Sequence, residues 1–129
     1  MSITRRSLEN NGEYKHMKNL IAKVIKWHED RNLIEGSTDK DQVLKLQQEL
    51  GELSDSVCKQ KDVKDDLGDM MVIMLNIMKR NNVTMEECLE TAYNDIKDRK
   101  GKMVNGIFIK EKDDFFTAEK YDFSNWSEE

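Results

Sequence analysis

At 129 residues and a formal net charge of −5, the chain has room for one domain, and its acidity disfavours a general polyanion-binding role, so duplex nucleic acid is not an expected partner. Charged residues at 36% and hydrophobic residues at 37% would fit a disordered chain if the apolar positions were not periodic. Cys58 and Cys88 lack metal-ligand spacing and read as reduced thiols. The N-terminus has no signal-peptide core, and the longest apolar run, Met70 to Leu75, is too short to cross a bilayer. A cytoplasmic location without membrane contact is therefore expected.

Residues 1–12 are polar and aperiodic and read as a flexible N-terminal arm ahead of a helical domain over 13–102. Met17, Leu20, Ile21, Val24 and Ile25 recur at helical spacing and predict a first helix from about Glu13 to Arg31. After a turn at Glu35 to Thr38, Thr38 followed by Asp41 resembles a capping box opening a second helix over Asp39 to Cys58. Leu46, Leu50, Leu53 and Val57 form its packing seam. Asp62 is a good N-cap for a third helix ending near Arg80, whose stretch Met70 to Leu75 is apolar on every side and predicts burial all round. Thr84, with Glu87 at the box position, caps a fourth helix running to about Lys100, with Gly101 as its C′ residue. Val104, Ile107, Phe108 and Ile109 flank Asn105-Gly106, a type I′ hairpin signal. The remaining tail, over 103–129, carries Phe115, Phe116, Tyr121, Phe123 and Trp126, enough aromatics to predict packing on the domain or on a partner subunit. The fold class expected is all-α: an antiparallel bundle of about four helices, assembled as a homodimer or homotetramer, because one helical hairpin cannot enclose its own apolar faces.

Glu49-Leu50-Gly51-Glu52 on the second helix and Asp66-Leu67-Gly68-Asp69 on the third share the pattern acid-Leu-Gly-acid. Residues three apart lie on one helix face, so each helix presents a carboxylate pair. The two pairs are equidistant from the point where the chain should reverse, which places them at one level of an antiparallel hairpin. Converging anions repel, at about 4 kcal/mol per pair at ~4 Å and an effective dielectric of 20, so a cation is expected among them. An all-oxygen donor set favours magnesium, with manganese as a substitute, over zinc. A glycine inside each acidic pair costs its helix about 1 kcal/mol and points to close helix approach or room for water.

These residues resemble the MazG-like nucleotide pyrophosphohydrolases of the all-alpha NTP pyrophosphatase superfamily, marked by Glu-Glu-x-x-Glu on one helix and Glu-x-x-Asp on the next. Here the motifs read Gln48-Glu49-Leu50-Gly51-Glu52 and Asp66-Leu67-Gly68-Asp69, and the resemblance covers roughly residues 21–102. Gln48 replaces the family's first Glu but faces away from the Glu49/Glu52 stripe, and Asp66 is one methylene shorter than the family's Glu. The resemblance implies that Glu49, Glu52, Asp66 and Asp69 are magnesium ligands, and that a nucleoside triphosphate is hydrolysed to the monophosphate and pyrophosphate. Glu49 or Glu52 is the candidate general base.

Lys45, one turn before Glu49, is a candidate phosphate contact or a simple partner of Glu49. Asn94, Lys97, Arg99 and Lys100 form a polar, basic helix end, to which the resemblance assigns phosphate contact and which elementary electrostatics reads as stabilisation of a helix C-terminus. Trp27 is placed to stack on a nucleobase or to fill the core or an interface, and His28 reads as structural or exposed rather than catalytic. Two other readings fit the same residues: a non-enzymatic helical interaction protein, and a nucleotide-binding regulator without turnover. The preferred base and sugar are not encoded in any recognisable pattern.

Overall fold

The computed structural model of the chain describes residues 5–111. Four helices precede a two-stranded hairpin: α1 Arg5–Asp30, α2 Asp39–Cys58, α3 Lys64–Arg80, α4 Met85–Ile96, β1 Gly101–Val104 and β2 Ile107–Lys110. The protein is thus mainly α-helical, as the apolar periodicity predicts. Phe115, Phe116, Tyr121, Phe123 and Trp126, expected to pack on the domain or a partner, lie outside the described residues.

Three boundaries differ from expectation. Residues 5–12, expected in a loose arm, belong to α1. Helix propagation is easier than nucleation, so the apolar-faced segment beyond Glu13 extends backward through polar residues, and Gly12 costs too little to stop it. Asp62 is not the N-cap of α3: that position is Val63, while the Asp62 Oδ1 accepts a hydrogen bond from the Lys64 N–H at 2.9 Å. Helix α4 ends at Ile96, so Gly101 is not its C′ residue but opens β1, where an added Cβ would overlap the Ile109 carbonyl and the Phe108 ring.

The other caps follow the sequence. Thr38 Oγ1 accepts from the Asp41 N–H, and Thr84 Oγ1 accepts from the Glu87 N–H, each at 3.1 Å. Helices α1, α2 and α3 each close in a Schellman motif: the N–H groups of Leu33, Lys61 and Val83 reach back to the carbonyls of His28, Ser56 and Met78. The left-handed residues that permit these closures are Asn32, Gln60 and Asn82, with φ of 56°, 56° and 55°.

The described residues divide into two compact units within α4, the first ending at Glu87 and the second beginning at Cys88. In the first, α2 and α3 pack as consecutive helices joined by the short loop 59–63, and α1 also packs on α3. The far end of the pair is tied by Arg80 Nε, which donates to Asp39 Oδ1 at 2.9 Å, and by Asn81 Nδ2, which donates to Asp39 Oδ2 at 3.1 Å. The interior is unusually polar. Ile73 and Leu75 are its buried hydrophobic residues, alongside His28, Glu49 and Asn76. The expected all-round burial of the Met70–Leu75 stretch of α3 is not met within one chain, because Met71 is exposed. In the second unit, β1 and β2 pair antiparallel across Asn105-Gly106, whose positive φ values, 50° and 81°, are those of a type I′ turn.

Gly51 and Gly68 do not serve close approach within the chain, since a Cβ at either would meet nothing within 4 Å. Gly51→Ala should therefore raise the unfolding free energy by up to about 1 kcal/mol, whereas Thr38→Ala should lower it by about 1 kcal/mol through loss of the cap. Urea denaturation of the two variants checks both signs.

Candidate functional site

Stacking α2 antiparallel on α3 brings Glu49, Glu52 and Asp69 together. One carboxylate oxygen from each lies within 4.8 Å of the others. The third acid of the expected set is set apart by its position: Asp66, half-buried in the first turn of α3, does not join that group. A side chain one methylene shorter than Glu, a turn back along the helix, does not span the gap. Asp66 still acts on the site as a negative charge near Asp69.

The three acids differ in environment. Glu49 is 8% exposed, Asp69 half-buried and Glu52 exposed. Burial raises the proton affinity of Glu49 above its ordinary value, and a hydrogen bond with the Glu52 carboxyl and then the Glu52 and Asp69 charges raise it further, against a smaller opposing effect of Lys45. Asp69 is raised by burial first, then by Asp65, Glu52 and Asp66. Glu49 Oε2 has no hydrogen-bond partner among the described residues. A buried carboxylate oxygen without a donor is costly, and it is the feature that most plainly fits a cation.

Lys45 is a poor occupant of that role. Its Nζ donates to Gln48 Oε1 at 3.1 Å and stands 3.8 Å from Glu49 Oε1, an exposed ammonium at the edge of the group. The simple Lys–Glu pairing is therefore present. Asn94, Lys97, Arg99 and Lys100 belong to the second unit, where Arg99 pairs with Asp95 at 2.8 Å.

Trp27 and Asp69 border one cleft of about 430 Å³, with Leu20, Lys23, Val24 and Val72. The indole is held from one side by the Arg31 guanidinium, 4.3 Å from its centroid, and meets the His28 ring edge-on at 5.3 Å. His28 is structural, as expected. Its Nε2 lies 2.9 Å from the Val72 carbonyl, and its Nδ1 lies 3.2 Å from Asn76 Nδ2, which also donates to the Leu33 carbonyl at 2.9 Å. These partners are all satisfied with the proton on Nε2. Sequence reasoning missed Lys23, whose available signal was its place one turn before Trp27 on α1. It also missed the Asn76 anchor, a polar residue inside an apolar run. A larger cleft of about 540 Å³, lined by residues of α1, α3 and the start of α4, has Glu86 as its one carboxylate among the described residues.

No protein-family model matches the chain, and no solved structure matches it. Over 69 residues it is 42% identical to an "Uncharacterized 18.2 kDa protein in rep-hol intergenic region" of Haemophilus phage HP1 (strain HP1c1). That stretch covers 52% of this chain and 42% of the phage protein, so the chain spans less than half of that relative's length.

The raised acids set a pH dependence. Folding favours the protonated forms of Glu49 and Asp69, so the ion-free protein should gain stability as pH falls from neutrality through their raised values toward the ordinary carboxylate range. Asp39 acts oppositely: bonds from Asn81 and then Arg80 lower its value, and its contribution is lost as pH falls through that value. In chelator, denaturation midpoints should rise on mild acidification and turn down in strong acid, and Glu49→Gln should raise the neutral-pH midpoint and flatten the first limb.

Proposed function

We propose that this chain is a magnesium-dependent nucleoside-triphosphate pyrophosphohydrolase of the MazG-like type, active in the cytoplasm as a homodimer or homotetramer. The observation that carries the reading is the buried, unpartnered Glu49 Oε2 within a group of three carboxylates. The residues fit a hard divalent ion: the donors are all oxygen, the atoms are close enough to share one centre, and no neighbouring ammonium neutralises them fully. Glu49, Glu52 and Asp69 would hold Mg²⁺, or Mn²⁺ in its place, with Asp66 contributing charge from a turn away. Such an ion supplies charge neutralisation and polarisation of the phosphates.

The chain's own residues do the rest. Glu49 or Glu52 is the candidate general base, the role falling to whichever carboxylate oxygen the ion leaves free. Trp27, braced by Arg31, offers an aromatic wall beside Asp69 for the nucleobase, and Lys23 adds a donor to the same cleft. With the phosphates toward the carboxylates and the base toward α1, water attacks the α-phosphorus and pyrophosphate leaves.

Incubation of deoxy- and ribonucleoside triphosphates with magnesium should release pyrophosphate. In labelled-oxygen water the label should enter the nucleoside monophosphate and not the pyrophosphate. Glu52→Ala and Asp69→Ala should each reduce turnover on the order of 100-fold or more while leaving the helical circular dichroism signal intact. Normal turnover in either variant would remove the site assignment, and a diphosphate product with labelled phosphate would remove the mechanism. Metal-dependent nucleotide binding without pyrophosphate release would identify the non-hydrolytic regulator instead.

A further inference from the structure

The β1–β2 hairpin exposes apolar side chains on both faces. Cross-strand partners share a face, so Met103 and Phe108 lie on one, and Val104, Ile107 and Ile109 on the other. Met103, Val104, Ile107 and Phe108 are all exposed. A lone two-stranded ribbon is marginal in water, and this one has two edges.

The edges are not equivalent. Val104 and Ile107 flank a two-residue turn and form a hydrogen-bonded pair, and the Glu111 N–H donates to the Lys100 carbonyl further along. Alternation therefore turns the N–H and C=O groups of Phe108 and Lys110 outward on β2, and those of Gly101 and Met103 outward on β1. No other described residue pairs with these groups through the backbone. If β1 pairs antiparallel with its own copy in the register that uses both outward residues, Lys102 falls directly opposite Lys102, a repulsive arrangement. The same operation on β2 centres on Ile109. Ile109 then faces Ile109, and Phe108 faces Lys110, an aromatic opposite a cation. The β2 edge is self-complementary and the β1 edge is not.

We propose that the β2 edges of two copies of this chain join antiparallel about a two-fold axis at Ile109, making a four-stranded sheet in the order β1-β2-β2-β1. The contact is isologous, so it closes as a pair and does not propagate. It satisfies the outward groups of Phe108 and Lys110 on both strands and extends each apolar face across the axis.

The arrangement places the two Ile109 Cα atoms about 4.5 Å apart as a non-hydrogen-bonded pair, within the span of a disulfide. In the full chain carrying Cys58→Ser and Cys88→Ser, Ile109→Cys should form an intermolecular disulfide under mild oxidation, several-fold more completely than Lys102→Cys, which sits opposite Ile109 in the same hairpin. Ile109→Lys should halve the mass measured by light scattering relative to the unaltered chain. Equal or reversed cross-linking at the two positions, absence of the Ile109→Cys dimer, or an unchanged mass for Ile109→Lys would each overturn the proposal. Cover of this edge by another segment of the same chain or by a different protein would produce those same negative results.

Discussion

The arrangement of the first unit turns on the Asn76 carboxamide. This side chain, 0% exposed, reaches across the apolar stretch of α3 to the His28 ring on α1 and to the Leu33 carbonyl just beyond it, while His28 returns a bond to the Val72 carbonyl. Each of these groups would carry a desolvation cost of about 1–3 kcal/mol if buried alone. Bonded to one another they fix the rotation of α1 on α3 more sharply than interchangeable apolar contacts do. The neighbour of His28 is Trp27, so the same network determines which wall of the cleft faces Asp69.

The carboxylate group is the opposite kind of polar feature. In the His28–Asn76 network the ring nitrogens of His28 and the Asn76 Nδ2 are bonded and only Asn76 Oδ1 lacks a partner, whereas Glu49 leaves a carboxylate oxygen without one among the described residues. The α2–α3 pairing nonetheless holds, tied at its far end by Asp39 with Arg80 and Asn81 and closed at the near end by a short loop. The pair is thus tied at points away from the acids as well, while the acids themselves bring like charges together.

Much of this was legible in the sequence because it depends on local rules. The periodic apolar positions located the helices, Thr38 and Thr84 marked two starts, and Asn105-Gly106 marked the turn. The equal arms about the α2–α3 loop anticipated that Glu49 and Glu52 would meet Asp69. What was not legible depended on distance in the sequence or on small differences in reach. The burial of Asn76 requires His28 and Leu33, more than forty positions away. The separation of Asp66 from the other acids is a matter of one methylene and one helical turn. The early start of α1 reflects cooperativity, which a residue-by-residue reading of a polar segment does not register.

The three Schellman closures bear on the unfolded state as well as the folded one. At each, the left-handed turn is made by Asn or Gln, not by the glycine that such a position ordinarily favours. A glycine would relieve the local steric cost of positive φ but enlarge the conformational freedom of the denatured chain. For Asn32 and Asn82, whose short amides tolerate this conformation, the two effects oppose each other closely. Gln60 lacks that tolerance and carries the larger share of torsional strain. The helix junctions therefore form a set of tension points outside the carboxylate group, and the α2–α3 loop is the one where a change of residue would alter the balance between folded and denatured chain most.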